Sequence, residues 1–181
     1  MDYSEGYRNQ KGILNFNRLV FEKKREIYKS HNITFVVPSN YMKEAALKSP
    51  LTENKEIYVI PNSLDLNLYK PFDQNTIRNK LNLPVNKKII LFGAMNAIMD
   101  QNKGWVYLKD ALCHLSINKE DILFLIFGDN NFKPHGIPFE FRSYPIIRNQ
   151  DLLIQLYNSA DMTIMPSRFE SFGQVASESL S

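Results

Sequence analysis

The chain has 181 residues, enough for one large domain or two small ones. It is 44% hydrophobic and 23% charged with a net charge of +3, an ordinary globular balance. No apolar run approaches the ~20 residues that span a bilayer, and the opening MDYSEGYRNQKG lacks the apolar stretch of a secretory signal, so the sequence reads as a cytoplasmic protein, peripheral to a membrane at most.

In chain order, NRLVFEKKREIYKS reads as a helix. Its basic residues Arg18, Lys23, Lys24, Arg25 and Lys29 form a solvated face on the simplest reading, and a contact for anionic lipid headgroups on the sharper one. Nucleic acid is not expected, because basic and aromatic residues do not interleave. NITFVVPS is a β-branched and aromatic run stopped by Pro38, and Ser39 then stands as the N-cap of NYMKEAALKS. EIYVIP is a second short strand ended by Pro61. NSLDLNLYKPFD shows no period and reads as a linker or ordered loop, and QNTIRNKLNL is helical up to Pro84.

A different block follows. KKIILFG is a continuous apolar run, as expected of a strand buried on both faces. KGWVYLKDALCHLS is helical, and within it Cys113, the single cysteine, is expected to be a reduced thiol in the core or half-buried. DILFLIFGD is a second apolar strand, SYPII a short third and DMTIMPS a fourth. NQDLLIQLYNSA is a helix with Leu152, Leu153, Leu156 and Tyr157 on one side, and another helix begins after Gly173. His31, His114 and His135 are far apart in sequence, so no metal is expected. Strands alternating with helices imply βαβ units: an α/β fold whose parallel sheet carries helices on both faces. The best domain boundary is the break near Pro71–Lys87.

Open parallel sheets bind ligands beyond the carboxyl ends of their strands. Gly93 and Gly128 end the two apolar strands there, and PSRFESFG follows the fourth. Ser171, Phe172 and Gly173 open a helix, whose unpaired first-turn N–H groups and positive end suit a diphosphate. Glu170 and Glu178, with seven residues between them, flank that position. Carboxylates beside a phosphate make sense if their partners are sugar hydroxyls. Glutamates also favour the start of a helix for electrostatic reasons alone. Lys103, opening the helix after the first apolar strand, serves either as a phosphate cation or as a surface lysine.

ADMTIMPSRFESFGQVASESL resembles the C-terminal signature of the group-1, glycogen-synthase-like family of retaining glycosyltransferases, which have two Rossmann-like domains in the GT-B architecture. VIPNSLDLNLYKPF resembles the family's interdomain segment. LFGAMNAIMDQNKGWVYLKDAL resembles the first strand, loop and helix of its second domain, and QDLLIQLYNSADM the helix before the signature. The resemblance covers roughly residues 32–181 in the family's order. The GAMN run and the Pro-Ser at 38–39 are similar in style to bacterial surface-polysaccharide enzymes.

The resemblance implies that residues 1–71 are the last part of an acceptor-side domain with its interdomain segment. Residues 72–181 would be the first part of a nucleotide-sugar-binding domain, truncated. The implied reaction moves a hexose from a nucleoside-diphosphate sugar to a glycan or lipid-linked acceptor in polysaccharide biosynthesis. By position, Glu170 would be the catalytic carboxylate on the donor sugar, and Glu178 would bind the ribose. Phe172 and Gly173 would hold the diphosphate through their N–H groups, with Ser171 and Gly93 beside it. Lys103 would offset leaving-group charge, and the base would lie near Ile146, Ile147 and Arg148. Neither a metal nor a cofactor is implied. Ala94 stands where many family members have arginine, and Ser63 where glycine is frequent. The family's glycine-rich acceptor loop is absent, so the expectation is a fragment, with a non-catalytic remnant or a partner-dependent nucleotide-sugar-binding module as the alternative.

Overall fold

The structure is a computed structural model that describes residues 16–93, 95–96, 99–128 and 136–181. Ala94, His135 and the polar opening lie outside the described residues. The chain divides into two compact units, one ending at Ser63 and one running from Leu64 to Ser181.

The first unit contains α1 (Phe16–Ser30), β1 (Phe35–Val37), α2 (Asn40–Leu47) and β2 (Ile57–Val59). β1 and β2 pair in parallel, with Phe35 opposite Ile57. Ser39 caps α2 as predicted, its hydroxyl accepting from the Met42 N–H at 3.2 Å. Tyr28 on α1 meets Phe35 edge-on at 5.4 Å. α1 buries none of its residues, the five basic ones included.

The second unit contains α3 (Gln74–Lys80), β3 (Lys88–Gly93), α4 (Trp105–His114), β4 (Ile122–Phe127), β5 (Glu140–Tyr144), α5 (Gln150–Ser159), β6 (Met162–Ile164) and α6 (Gln174–Leu180). Short 3-10 turns lie at Gln101–Lys103 and Lys119–Asp121. The strands run β5-β4-β3-β6, and every neighbouring pair is parallel. β4 is buried at all six positions. Its side chains alternate between two apolar layers, which is why it reads as an unbroken apolar run. Phe124 and Ile126 join Phe92, Trp105, Leu108 and Leu112 on the α4 side. Leu123 and Leu125 join Ile89, Leu91, Ile154, Leu156 and Tyr157 on the α5 side.

Three expectations need correction. The third strand is Glu140–Tyr144 rather than SYPII. It lies at the sheet's edge, so its side chains are exposed or half-buried and its apolar signal is weak. The apolar Ile147 lies past its end and packs onto the α5 layer instead. Cys113 is exposed, its Sγ donating to the Gly136 carbonyl at 3.2 Å. α4 turns Trp105, Leu108 and Leu112 inward, and Cys113 stands about 100° further round the helix. On α5, Leu152, Leu153, Leu156 and Tyr157 all pack into one layer as expected, and Ile154 joins them there. The division of the chain falls after Ser63, ahead of the predicted break at Pro71, because Leu64 and Tyr69 pack into the α5 layer.

One buried charge closes the amino edge of the sheet. Arg78 on α3 is 3% exposed. Its Nε donates to the Ser159 carbonyl at 2.9 Å, Nη1 to the Lys87 carbonyl at 3.1 Å, and Nη2 to Asp161 Oδ2 at 2.7 Å. The same Oδ2 accepts from the Ile89 N–H at 2.7 Å, and Lys88 Nζ reaches Oδ1 at 3.2 Å. Burial pushes the Asp161 carboxyl up, but the hydrogen bonds from Ile89, Arg78 and Lys88 outweigh it and hold the group below its ordinary value. A depressed folded-state value contributes stability that is complete above the ordinary aspartate value of about 3.9 and lost as pH falls through the folded one. Arg78→Met should therefore lower stability by about 1–3 kcal/mol at pH 7, since Asp161 loses one of its three partners. Denaturant titrations at pH 7 and pH 3 check this, with the difference between Arg78→Met and the unaltered chain shrinking at the lower pH.

Candidate functional site

The carboxyl ends of β3 and β6 carry two loops that meet. On the first, the Asp100 carboxylate accepts from the Asn102 N–H at 2.9 Å and the Lys103 N–H bonds the Asp100 carbonyl at 3.0 Å, which closes the turn bearing Lys103. Gly104 follows at φ +70°, and a Cβ there would lie 2.0 Å from the Pro166 carbonyl oxygen. Glycine is thus required both for the left-handed backbone and for the close approach. The Arg168 N–H donates to the Asn102 carbonyl at 2.7 Å, joining the second loop to the first.

This approach brings Lys103 and Glu170 together, with Lys103 Nζ 2.9 Å from Glu170 Oε1. Their side chains are 28% and 27% exposed, so the pair is sheltered yet reachable from solvent. Burial pushes the Glu170 carboxyl up, and Asp100 adds to that. Hydrogen bonds from Ser167 and Lys103 outweigh both and hold it below its ordinary value. Glu170 is therefore a carboxylate at neutral pH, paired with an ammonium, where a developing charge of either sign could be met.

The other predicted residues are placed differently. Gly93 ends β3 opposite Phe127, and a Cβ on it would lie 2.0 Å from the Phe127 ring. Room for that ring is sufficient reason for the glycine. The ring meets Tyr157 edge-on at 6.1 Å, and the Tyr157 hydroxyl donates to Glu178 Oε2 at 2.8 Å. Burial, then Glu178, pushes the Tyr157 hydroxyl well above its ordinary value. Glu178 thus has a partner of its own, apart from the Lys103–Glu170 pair. It lines a groove of about 290 Å³ with Tyr69, Phe72, Ile154, Tyr157 and Asn158. Gly173 is buried at φ +85° and opens α6 with no side-chain cap; Phe172 is half-buried and Ser171 exposed. Ile147 is half-buried in the α5 layer, and Arg148 is exposed just before Asn149, the cap of α5. Gly128, at φ +101°, accepts from the Asn96 N–H at 3.1 Å.

Sequence reasoning missed Ser167, Asp100 and Arg168 around the pair, and Tyr157 as the partner of Glu178. Only Ser167, in the Pro-Ser three residues before Glu170, had a visible signal. Among the described residues, no group of three or more His, Cys, Asp or Glu side chains could hold a metal ion, and no helix is long and apolar enough to cross a membrane.

An open parallel sheet with apolar layers on both faces and two loops meeting at its carboxyl edge defines a Rossmann-like α/β unit. Residues 73–181 match the family described as "Glycosyl transferases group 1", and the chain belongs to that family. It is 30% identical over 145 residues to the glycogen synthase of Thermotoga maritima, an alignment covering 66% of this chain and 29% of that protein. It is 26% identical over 136 residues to the D-inositol 3-phosphate glycosyltransferase of Segniliparus rotundus, covering 68% of this chain and 29% of that one. In fold it is similar to the sucrose-phosphate synthase from Thermosynechococcus elongatus, with a TM-score of 0.70 at 20% identity over 99% of this chain and 46% of that chain. The α/β fold is that of GT-B glycosyltransferases. The chain spans less than half the length of each of these proteins.

Two outcomes follow from the geometry. Gly93→Ala should cost about 1–3 kcal/mol through overpacking against Phe127, and Phe127→Leu in the same chain should recover part of that loss, as melting curves of the single and double variants would show. Lys103→Ala should let the Glu170 carboxyl rise toward its ordinary value, measurable by carbon-detected NMR titration of the side chain.

Proposed function

We propose that this chain supplies the donor side of a retaining hexosyl transfer, from a nucleoside-diphosphate sugar to a glycan or lipid-linked acceptor. The observation that carries the reading is the 2.9 Å Lys103–Glu170 pair at the carboxyl edge, formed by two loops that the sequence keeps far apart. In such a transfer the bond between the anomeric carbon and the diphosphate oxygen breaks, and its electrons leave with the diphosphate. The acceptor hydroxyl forms the new bond, and its proton passes to the leaving phosphate oxygen. Lys103 offsets the negative charge building on the diphosphate, while Glu170 accepts from the donor sugar's hydroxyls and faces the positive charge at the anomeric carbon. In this reading the two groups hold each other until a donor separates them.

Ser171, Phe172 and Gly173 lie beside this pair in sequence and are assigned to the diphosphate, with the base toward Ile147 and Arg148. Glu178, whose carboxylate faces the Tyr157 and Tyr69 hydroxyls, is assigned to the ribose. No metal and no cofactor enters the scheme. Relatives named as a glycogen synthase and an inositol-phosphate glycosyltransferase support sugar transfer as the class of chemistry without choosing the acceptor. Polysaccharide assembly in the cytoplasm, with peripheral membrane contact, is the setting this reading favours.

Calorimetry with uridine and adenosine diphosphates, alongside a transfer assay, tests it. Lys103→Met and Glu178→Gln should each weaken nucleoside-diphosphate binding about tenfold, the worth of one charge-assisted hydrogen bond. Glu170→Gln should leave that binding unchanged or slightly tighter, because it releases Lys103, and should depress turnover instead. Changes below twofold in all three variants would reduce the glutamates to helix decoration.

A further inference from the structure

Two tyrosine hydroxyls from separate parts of the second unit converge on Glu178. Tyr157 on α5 donates to Glu178 Oε2 at 2.8 Å. Tyr69 comes from the segment before α3. There the Asp65 carboxylate accepts from the Asn67 N–H at 2.9 Å, and the Asp65 carbonyl from the Tyr69 N–H at 2.9 Å, which closes a turn. Asn158 then fastens the next residues to α5. Its Oδ1 accepts from the Phe72 N–H at 2.6 Å, and its Nδ2 donates to the Lys70 carbonyl at 3.3 Å. Asn158 adjoins Tyr157, so this docking delivers the Tyr69 hydroxyl to the same carboxylate, within hydrogen-bond reach. Both tyrosines are buried, and both line the groove that Glu178 enters.

The protons of this cluster can be followed. Gln150 Nε2 donates to the Tyr69 hydroxyl oxygen at 3.5 Å, which leaves the hydroxyl's own proton for Glu178. Burial first, and the Glu178 carboxylate after it, push the Tyr69 hydroxyl above its ordinary value, against a smaller opposing effect of Gln150. Both hydroxyls therefore stay neutral donors at neutral pH. A carboxylate has about four lone-pair positions. Two tyrosines occupy two of them, and the rest suit the paired donors of a vicinal diol. A neutral donor also orients a carboxylate without an ion pair that an incoming ligand must break, unlike Lys103 at Glu170. Fixing a glutamate before its ligand arrives removes the cost of ordering it from the binding step.

We infer that Tyr157 and Tyr69 are positioning residues of the ribose site, which hold the Glu178 carboxylate in one orientation so that the diol meets a prepared acceptor. This role rests on the assignment of Glu178 to the ribose. Tyr157 keeps its place through the Phe127 ring, and Tyr69 through the turn at Asp65 and the docking by Asn158.

The test is calorimetry of the complete chain with uridine and adenosine diphosphates and with their 2′,3′-dideoxy counterparts. Tyr157→Phe and Tyr69→Phe keep the rings and remove only the hydroxyls. Each should weaken binding of the ribonucleotides about three- to tenfold and change binding of the dideoxy forms by less than about twofold. Adding either substitution to Glu178→Gln should cost little more, because the group they orient has already been replaced. A loss confined to the ribonucleotides in either variant sustains the inference. An equal loss for ribo and dideoxy forms marks a purely structural role and overturns it. So does unchanged binding in both variants while Glu178→Gln loses the preference for ribose, a pattern that leaves the donor reading standing. If the unaltered chain binds ribo and dideoxy forms alike, or binds neither, the assignment of Glu178 to the ribose falls and takes this role with it.

Discussion

The second unit depends on what happens to one guanidinium. A buried arginine is tolerated only when its donors are matched and its charge is balanced. Arg78 meets that demand with the end of α5, the lead into β3 and the aspartate ahead of β6. Asp161 in turn binds the first N–H of the β3 core, so the helix before the sheet, the central strand and the edge strand share one node. These segments are far apart in sequence, and Gln74 on α3 adds a bond to the Ala160 carbonyl at 2.9 Å. With the amino edge closed in this way, the opposite edge can carry longer loops whose polar groups answer to a ligand rather than to the fold.

At that opposite edge the glycines do separate work. Gly104 lets one loop touch the backbone of another, and the meeting of Lys103 and Glu170 is a consequence of that contact. Gly93 serves packing: its missing Cβ admits Phe127, which supports Tyr157, which holds Glu178. The two signature glutamates therefore stand in different surroundings. One is balanced by the Lys103 ammonium at 2.9 Å. The other is held by a neutral hydroxyl whose proton burial makes hard to remove.

The first unit is of another kind. Ile57 is its single fully buried apolar side chain among the described residues, while Val36, Tyr58 and Ile60 remain largely exposed. A two-stranded sheet with so little covered surface contributes little stability by itself. The larger buried core of this chain is in the second unit, and the family match falls wholly within it.

Much of the second unit was legible in the sequence because its central strands are buried on both faces, and only apolar side chains survive there. KIILFG and ILFLIF announced a parallel sheet, and Gly173 marked a helix start that its left-handed backbone now explains, as Ser39 did in the first unit through its hydroxyl. The edge strand was misjudged for the converse reason: half its surroundings are water, so its residues carry no periodic imprint. Glu170 and Lys103 were legible as candidates from their order relative to the strands. The sequence by itself determined that strands and helices alternate, that the central strands are buried on both faces and that the sheet is parallel. The tertiary structure alone decided that Lys103 reaches Glu170, that Glu178 belongs to Tyr157, and that Arg78 is buried at all. Each of those facts depends on side chains from segments tens of residues apart meeting within about 3 Å, the range of a hydrogen bond, and no local pattern encodes a distance of that kind.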